Sequence, residues 1–191
     1  CGAYCTGEFT VTIDKNDPPV CELPNDTTIF LCVPGTVCLP IGATDVDGNF
    51  SHCEFDDPSK VGGFGYICDA SCGDNVGDWC YDVTEDTKVT VYIKCLDSCG
   101  AVCRGSFTVT FDVNEAPECS PVNDTSVFLC EPMQVCIPFG SKDRDGGTVT
   151  CQVVSGPGAY ADGYWCFTPQ SEGTYNVTIR CTDSCGAYCE E

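Results

Sequence analysis

The cysteines of this chain recur at a fixed interval. From Cys21, Cys32, Cys38 and Cys53 to Cys119, Cys130, Cys136 and Cys151 the offset is always 98 residues, and from Cys80 and Cys95 to Cys166 and Cys181 it is 86. The flanking residues repeat with them: "NDTTIFLC" with "NDTSVFLC", and "VTVYIKCLDSCGAVC" with "NVTIRCTDSCGAYC". Self-similarity at a fixed period identifies a tandem array before any secondary structure is considered. Residues 1–17 then read as the final strand of a preceding repeat plus a linker, 18–112 as a complete repeat, and 113–191 as a second repeat without its final strand. "CGAYC" stands at 1–5 and again at 185–189, and "TGEFTVTID" at 6–14 matches "RGSFTVTFD" at 104–112. The expectation is a window on a longer array, with residues 6–14 protruding or pairing outside the chain's own repeats. Donation of that strand to a neighbouring chain is the alternative to covalent continuation.

Repeats of roughly 90 residues have thin cores, so crosslinks that restrict the unfolded chain matter here. Twenty cysteines in 191 residues imply an oxidising location, outside the cell or on its surface. A formal charge of -21 argues against nucleic acid and anionic membrane as partners. No apolar run reaches the roughly 20 residues of a membrane helix. With one histidine, no G-x-S-x-G, no glycine-rich phosphate loop and no isolated carboxylate pair, no catalytic site is indicated.

Short β-rich runs at 28–31, 37–41, 89–95 and 106–112 are each bounded by Gly, Pro, Asn or Asp. Phe107, Val109 and Phe111 alternate with polar residues, as one buried strand face requires. Trp79 and Trp165 sit at matching places beside Cys80 and Cys166 and read as core aromatics. The fold class is all-β: disulfide-rich, tandem immunoglobulin-like β-sandwich repeats.

Two acidic sets recur with the repeat. Asp14, Asn16 and Asp17 precede Asp45 and Asp47; Asp112, Asn114 and Glu115 precede Asp143 and Asp145, with 31 residues from Asp14 to Asp45 and from Asp112 to Asp143. Clustered carboxylate and amide oxygens on loops suit calcium, although Asp and Asn are also ordinary turn residues; duplication at constant spacing favours the ion. "DKNDPP" and "DVNEAP" resemble the cadherin linker motif D-x-N-D-N-x-P, and "ATDVDGN" resembles the cadherin A-x-D-x-D run. The "TDSCGAYC" and "FTVT" elements are also similar to hyalin repeats and to bacterial arrays of cadherin-like repeats. The resemblance implies calcium held by these two sets at repeat junctions. The chain departs from the motif at Pro18 and Ala116, where cadherins carry the second Asn, and at Glu115 in place of Asp.

The first repeat carries 12 extra residues between Cys53 and Cys80, and these bring Cys68 and Cys72, which have no counterparts. They are expected to bond to each other. Strand parity suggests Cys53 with Cys95; Cys99 could close on Cys103, and Cys32 on Cys38. "CDASC" superficially suggests zinc, but His52 is not spaced to complete a tetrahedral set. Asn25, Asn49, Asn123 and Asn176 begin N-x-S/T triplets and are glycan candidates. Together these features describe a non-enzymatic structural module of a long extracellular fibre, filament or stalk, partnered by further copies of itself. The alternative is an adhesin that recognises a glycan or a protein partner, with the insertion as its distinguishing loop.

Overall fold

The computed structural model describes residues 1–57, 65–75 and 77–191. The chain divides into two compact units, Cys1–Asp112 and Val113–Glu191. Unit 1 contains β1 (Val20–Glu22), β2 (Thr27–Leu31), β3 (Gly35–Leu39), β4 (Gly42–Thr44), β5 (Phe50–Phe55), β6 (Tyr66–Ile67), β7 (Trp79–Val83), β8 (Thr87–Asp97) and β9 (Val102–Val113). Unit 2 contains β10 (Glu118–Cys119), β11 (Val135–Pro138), β12 (Ser141–Lys142), β13 (Thr150–Ser155), β14 (Ala159–Ala161), β15 (Tyr164–Phe167), β16 (Thr178–Thr182) and β17 (Tyr188–Glu190).

Unit 1 is a sandwich of a four-stranded sheet, β2-β9-β8-β5, and a three-stranded sheet, β3-β7-β6, with β1-β4 as a small third pair. The long hairpin β8–β9 runs in continuous antiparallel register from Thr87 opposite Phe111 to Leu96 opposite Val102. Side chains alternate along a strand, so Val89, Val91, Ile93 and Cys95 share one face with Phe107, Val109 and Phe111. All of these are buried. That face meets β7 of the other sheet: the Trp79 ring lies edge-on to Phe107 at 5.3 Å, and Tyr81 stacks on Phe111 at 5.3 Å. These contacts between sheets are what make the unit a sandwich rather than two ribbons. The strands run longer than their β-rich runs predict, because polar Thr87, Lys88 and Arg104 complete a ladder that their neighbours have already fixed.

Unit 2 repeats the plan with less of it. Its sheets are β11-β15-β14 and β13-β16-β17, with β10-β12 as the small pair, and its core centres on Phe139, Trp165, Ile179 and Cys181.

Four of the disulfides among the described residues join neighbours within a sheet. Cys38–Cys80 and Cys53–Cys95 lie directly opposite in register, with Cα–Cα distances of 4.1 and 4.0 Å. Cys136–Cys166 and Cys151–Cys181 do the same in unit 2. Cys21–Cys103 and Cys119–Cys189 tie the short first strand of each unit to its last. Cys68 bonds Cys72 inside the insertion, closing a turn whose ends meet through Cys68 N–H to Asp78 O at 2.8 Å. Residues 58–64 and 76 of that region lie outside the described residues.

Two expected pairings are corrected. Cys103 does not close on Cys99: it stands in the ladder opposite Cys95 and reaches β1, whereas Cys99 sits in the turn beyond Asp97 and remains a free, exposed thiol. Cys38 does not close on Cys32, because its cross-strand neighbour is Cys80.

Alkylation of the native chain should therefore modify Cys1, Cys5, Cys99 and Cys130, which are free and exposed, and a non-reduced digest should yield Cys21 linked to Cys103. Phe107→Ala should lower stability by about 3–5 kcal/mol in denaturant unfolding. Phe9→Ala, at the matching position of an exposed segment, should change it by about 0.5 kcal/mol or less.

Candidate metal centres

In each unit a carboxylate is buried at the end of a core strand. The inward face of β8 continues one step past Cys95 to Asp97, which is 4% exposed; in unit 2, Ile179 and Cys181 are followed by Asp183 at 8%. A buried carboxylate requires donors. Asp97 Oδ1 accepts from the backbone N–H groups of Cys99 and Ala101 at 2.9 and 2.8 Å, and Asp183 Oδ1 accepts from Cys185 and Ala187, both at 2.9 Å. The turn that presents these donors is closed by Gly100 and Gly186, whose φ values of 86° and 90° suit glycine.

The second oxygen recruits the segment that leads into the first strand of each sandwich. Asn16 Nδ2 donates to Asp97 Oδ2 at 2.8 Å, and Asn114 Nδ2 donates to Asp183 Oδ2 at 2.8 Å. Each amide also donates to the carbonyl of the next residue, at 3.2 Å in both units. The backbone N–H of Asp17 donates to Asp47 Oδ2, and that of Glu115 to Asp145 Oδ2, both at 2.7 Å. The Asp-x-Asp loop is braced by Asp47 N–H to Asp45 Oδ1 at 2.9 Å, matched by Asp145 N–H to Asp143 Oδ1 at 2.8 Å. The same circuit is thus built twice, with corresponding lengths agreeing to about 0.1 Å.

These bonds fix the amides. In unit 1, Asn49 Nδ2 donates to Asn16 Oδ1 at 2.6 Å, which leaves the Asn49 oxygen 2.8 and 3.1 Å from the two carboxylate oxygens of Asp45. Turning the Asn49 amide satisfies Asp45 but sets the Asn49 oxygen against Asn16 Oδ1, and Asn16 cannot turn without opposing Asp97. Either way, oxygen faces oxygen. In unit 2 the place of Asn49 is taken by Gly147, and the buried Asp143 Oδ2 beside it has no hydrogen-bond partner among the described residues. Oxygens that converge without a proton between them fit a hard cation.

The two sets are not identical. Arg144 donates to both oxygens of Glu115, at 2.8 and 3.0 Å, where unit 1 has Val46 and Asp17. Asp14 stands outside the circuit, exposed, its Oδ1 accepting from Lys15 N–H, and Asp112 lies on β9. Of the expected ligands, Asn16, Asp17, Asp45 and Asp47 meet in one unit, and Asn114, Glu115, Asp143 and Asp145 in the other. The sequence reading passed over Asp97 and Asp183. The signal was available in strand parity, since the odd-numbered inward series Val89, Val91, Ile93, Cys95 leads straight to Asp97.

Asn25, Asn123 and Asn176 are exposed, whereas Asn49 is half-buried and its amide nitrogen donates to Asn16 Oδ1. The cysteine sulfurs that cluster, such as Cys38, Cys68 and Cys80, are all in disulfides and offer zinc no thiolate.

Both buried carboxyls are held below the ordinary aspartate range. For Asp97 the main cause is the Asn16 amide, and for Asp183 the Asn114 amide, each reinforced by backbone donors and opposed by burial. A depressed folded-state value contributes stability above the unfolded value of about 3.9 and loses it as pH falls through the folded one. An acid unfolding series should therefore show stability lost only below about pH 4. In Asp97→Asn and Asp183→Asn the acid limb should be shallower and stability at neutral pH lower.

No protein-family model matches the chain, and no curated protein matches it. Among solved structures it is similar to the protocadherin GammaB4 extracellular domain, with 22% identity and a TM-score of 0.48 over 94% of this chain and 32% of that one. It is similar also to protocadherin Gamma B2 extracellular cadherin domains 3–6 (18%, TM-score 0.46, 91% of this chain and 46% of that one). Drosophila N-cadherin EC1-4 gives 14% and 0.38, over 93% of this chain and 50% of that one. The chain spans between a third and a half of the length of these structures. By its own strand pairing the chain folds as immunoglobulin-like β-sandwich units, stapled by disulfides of the kind that form in an oxidising, extracellular setting.

Proposed function

We propose that this chain is a structural module of a long extracellular tandem-repeat protein that forms a surface fibre, filament or stalk, and that calcium stiffens each repeat at its acidic end. One observation carries the calcium reading: within the twice-built circuit, the Asn49 oxygen stands against the Asp45 carboxylate in unit 1, and the buried Asp143 Oδ2 has no hydrogen-bond partner among the described residues in unit 2. Asn16, Asp45, Asp47, Asn49 and Asp97 would hold an ion in unit 1, and Asn114, Asp143, Asp145 and Asp183 in unit 2. A divalent ion supplies the charge compensation that these oxygens lack. The chain's own groups do the rest: Asn16 and Asn114 anchor the incoming segment to the buried carboxylate, and the Asp-x-Asp loop pins its backbone. Arg144 compensates Glu115 from within, so the unit 2 site depends less on the ion than the unit 1 site.

Calorimetric titration with calcium should show binding, and saturation at about 100 times Kd should add about 2.7 kcal/mol of stability. Asp45→Asn should abolish the unit 1 event alone, and Asp143→Asn the unit 2 event alone. The absence of both binding heat and a thermal shift on adding calcium or a chelator would sink the reading.

The adhesin reading keeps one observation in its favour, the insertion that unit 1 carries and unit 2 lacks, part of which is the Cys68–Cys72 turn. Binding of the chain on a glycan array, lost when residues 65–78 are deleted, would favour it over the structural role.

A further inference from the structure

Unit 1 holds a buried sulfur without which unit 2 builds the same three-stranded sheet. Cys38 stands directly opposite Cys80 in the β3–β7 ladder, and their disulfide staples those strands. Tyr66 stands opposite Cys80 on the other side, in the β6–β7 ladder. Side chains alternate along a strand, so Cys68, two residues beyond Tyr66, faces the same side of the sheet as Cys80 and Cys38. Its backbone is held there by Cys68 N–H to Asp78 O and Gly77 N–H to Cys68 O, both at 2.8 Å. Cys68 Sγ comes to rest 3.4 Å from Cys80 Sγ, with Cys38 Sγ within 4.8 Å of both.

Two disulfides thus meet through their buried atoms. Cys68 is 5% exposed and Cys80 0%, while Cys38 and Cys72 are half-buried. Cys72 is therefore the accessible end of its bond, in a turn four residues beyond Cys68. The unit 2 staple, Cys136–Cys166, is the internal reference, since its sequence has no counterpart of Cys68 or Cys72. The other sulfur clusters among the described residues recur in both units, Cys21, Cys95 and Cys103 matching Cys119, Cys181 and Cys189. The set formed by Cys38, Cys68 and Cys80 belongs to the insertion.

We infer that the Cys68–Cys72 turn is a redox relay, which moves the staple of this sheet from β3–β7 to β6–β7 when an external dithiol reduces it. One thiolate of the dithiol attacks Cys72 Sγ, forming a mixed disulfide and leaving the electron pair on Cys68. The Cys68 thiolate, already at near-attack distance, attacks Cys80 Sγ. The Cys68–Cys80 bond forms, the Cys38–Cys80 bond breaks, and Cys38 leaves as a thiolate that takes a proton from water. The second thiol of the dithiol displaces Cys72, which closes the reductant's own disulfide. The dithiol is oxidised, and the protein gains the Cys38 and Cys72 thiols while keeping one of its two bonds. Burial favours this direction, because a thiolate confined at Cys68 is desolvated and exchange moves the charge out to half-buried Cys38. The strand set loose is β3, an edge of the sheet β3-β7-β6. The relay needs neither an ion nor a second chain, so its failure would leave the calcium and fibre readings untouched.

The test uses the whole chain, its free thiols first blocked with N-ethylmaleimide. Limiting dithiothreitol is added, the reaction is quenched with isotopically heavy N-ethylmaleimide, and a non-reduced digest is read by mass spectrometry. Heavy label should appear at Cys38 and Cys72, together with a new peptide pair linked Cys68 to Cys80. Because the attacking sulfur is already in place, Cys38 should be labelled about tenfold or more faster than its unit 2 counterpart, Cys136. In Cys68→Ser, with Cys72 blocked alongside the other free thiols, labelling of Cys38 should fall to the rate of Cys136. Heavy label on Cys68 in place of the Cys68–Cys80 link overturns the inference, as does a folded variant in which Cys38 is labelled as fast as in the wild type. If the variant does not fold, the wild-type digest decides alone.

Discussion

The antiparallel ladder between β8 and β9 is the constraint on which the rest of unit 1 depends. Because side chains alternate along a strand, one register decision sends Val89, Val91, Ile93, Phe107, Val109 and Phe111 into the core together. The same parity places Cys95 opposite Cys53 for the in-sheet disulfide and Asp97 at the buried end of the row. Core, crosslink and candidate ion site are therefore consequences of a single hairpin. A one-residue slip would expose the core and break the site at once.

The disulfides complement this ladder rather than replace it. Bonds such as Cys53–Cys95 and Cys38–Cys80 join strands that already pair, which holds each sheet in register. The sheets themselves are held together by Trp79, Tyr81, Phe107 and Phe111. Cys21–Cys103 acts differently, fastening the short β1 close to where the segment carrying Asn16 enters the unit. Small units with thin cores gain from such crosslinks because the reduced unfolded chain has more freedom to lose.

Comparison of the two units separates what the repeat needs from what it tolerates. The anchoring amide, the Asp-x-Asp loop and the buried carboxylate recur with nearly the same lengths. Asn49 gives way to Gly147 and Val46 to Arg144, so the local compensation of charge differs while the scaffold does not. In unit 2, β16 and β17 pair beside the site as β8 and β9 do in unit 1.

The sequence by itself determined the repeat, the all-β class, the inward face of the last strand and the recurrence of the acidic sets, because periodicity and spacing are local properties of the chain. It also placed Cys68 with Cys72 and Cys53 with Cys95, the first through the insertion and the second through strand parity. Only the tertiary structure decided that Cys103 pairs with Cys21 rather than Cys99, since sequence proximity says nothing about which face of a ladder a sulfur occupies. The same holds for Asp97 and Asp183: a lone Asp before a turn looks like an ordinary turn residue until burial and the reach of Asn16 and Asn114 show that it organises the site. The contact of Asn49 with Asn16, 33 residues away, is likewise a long-range one that no local pattern encodes.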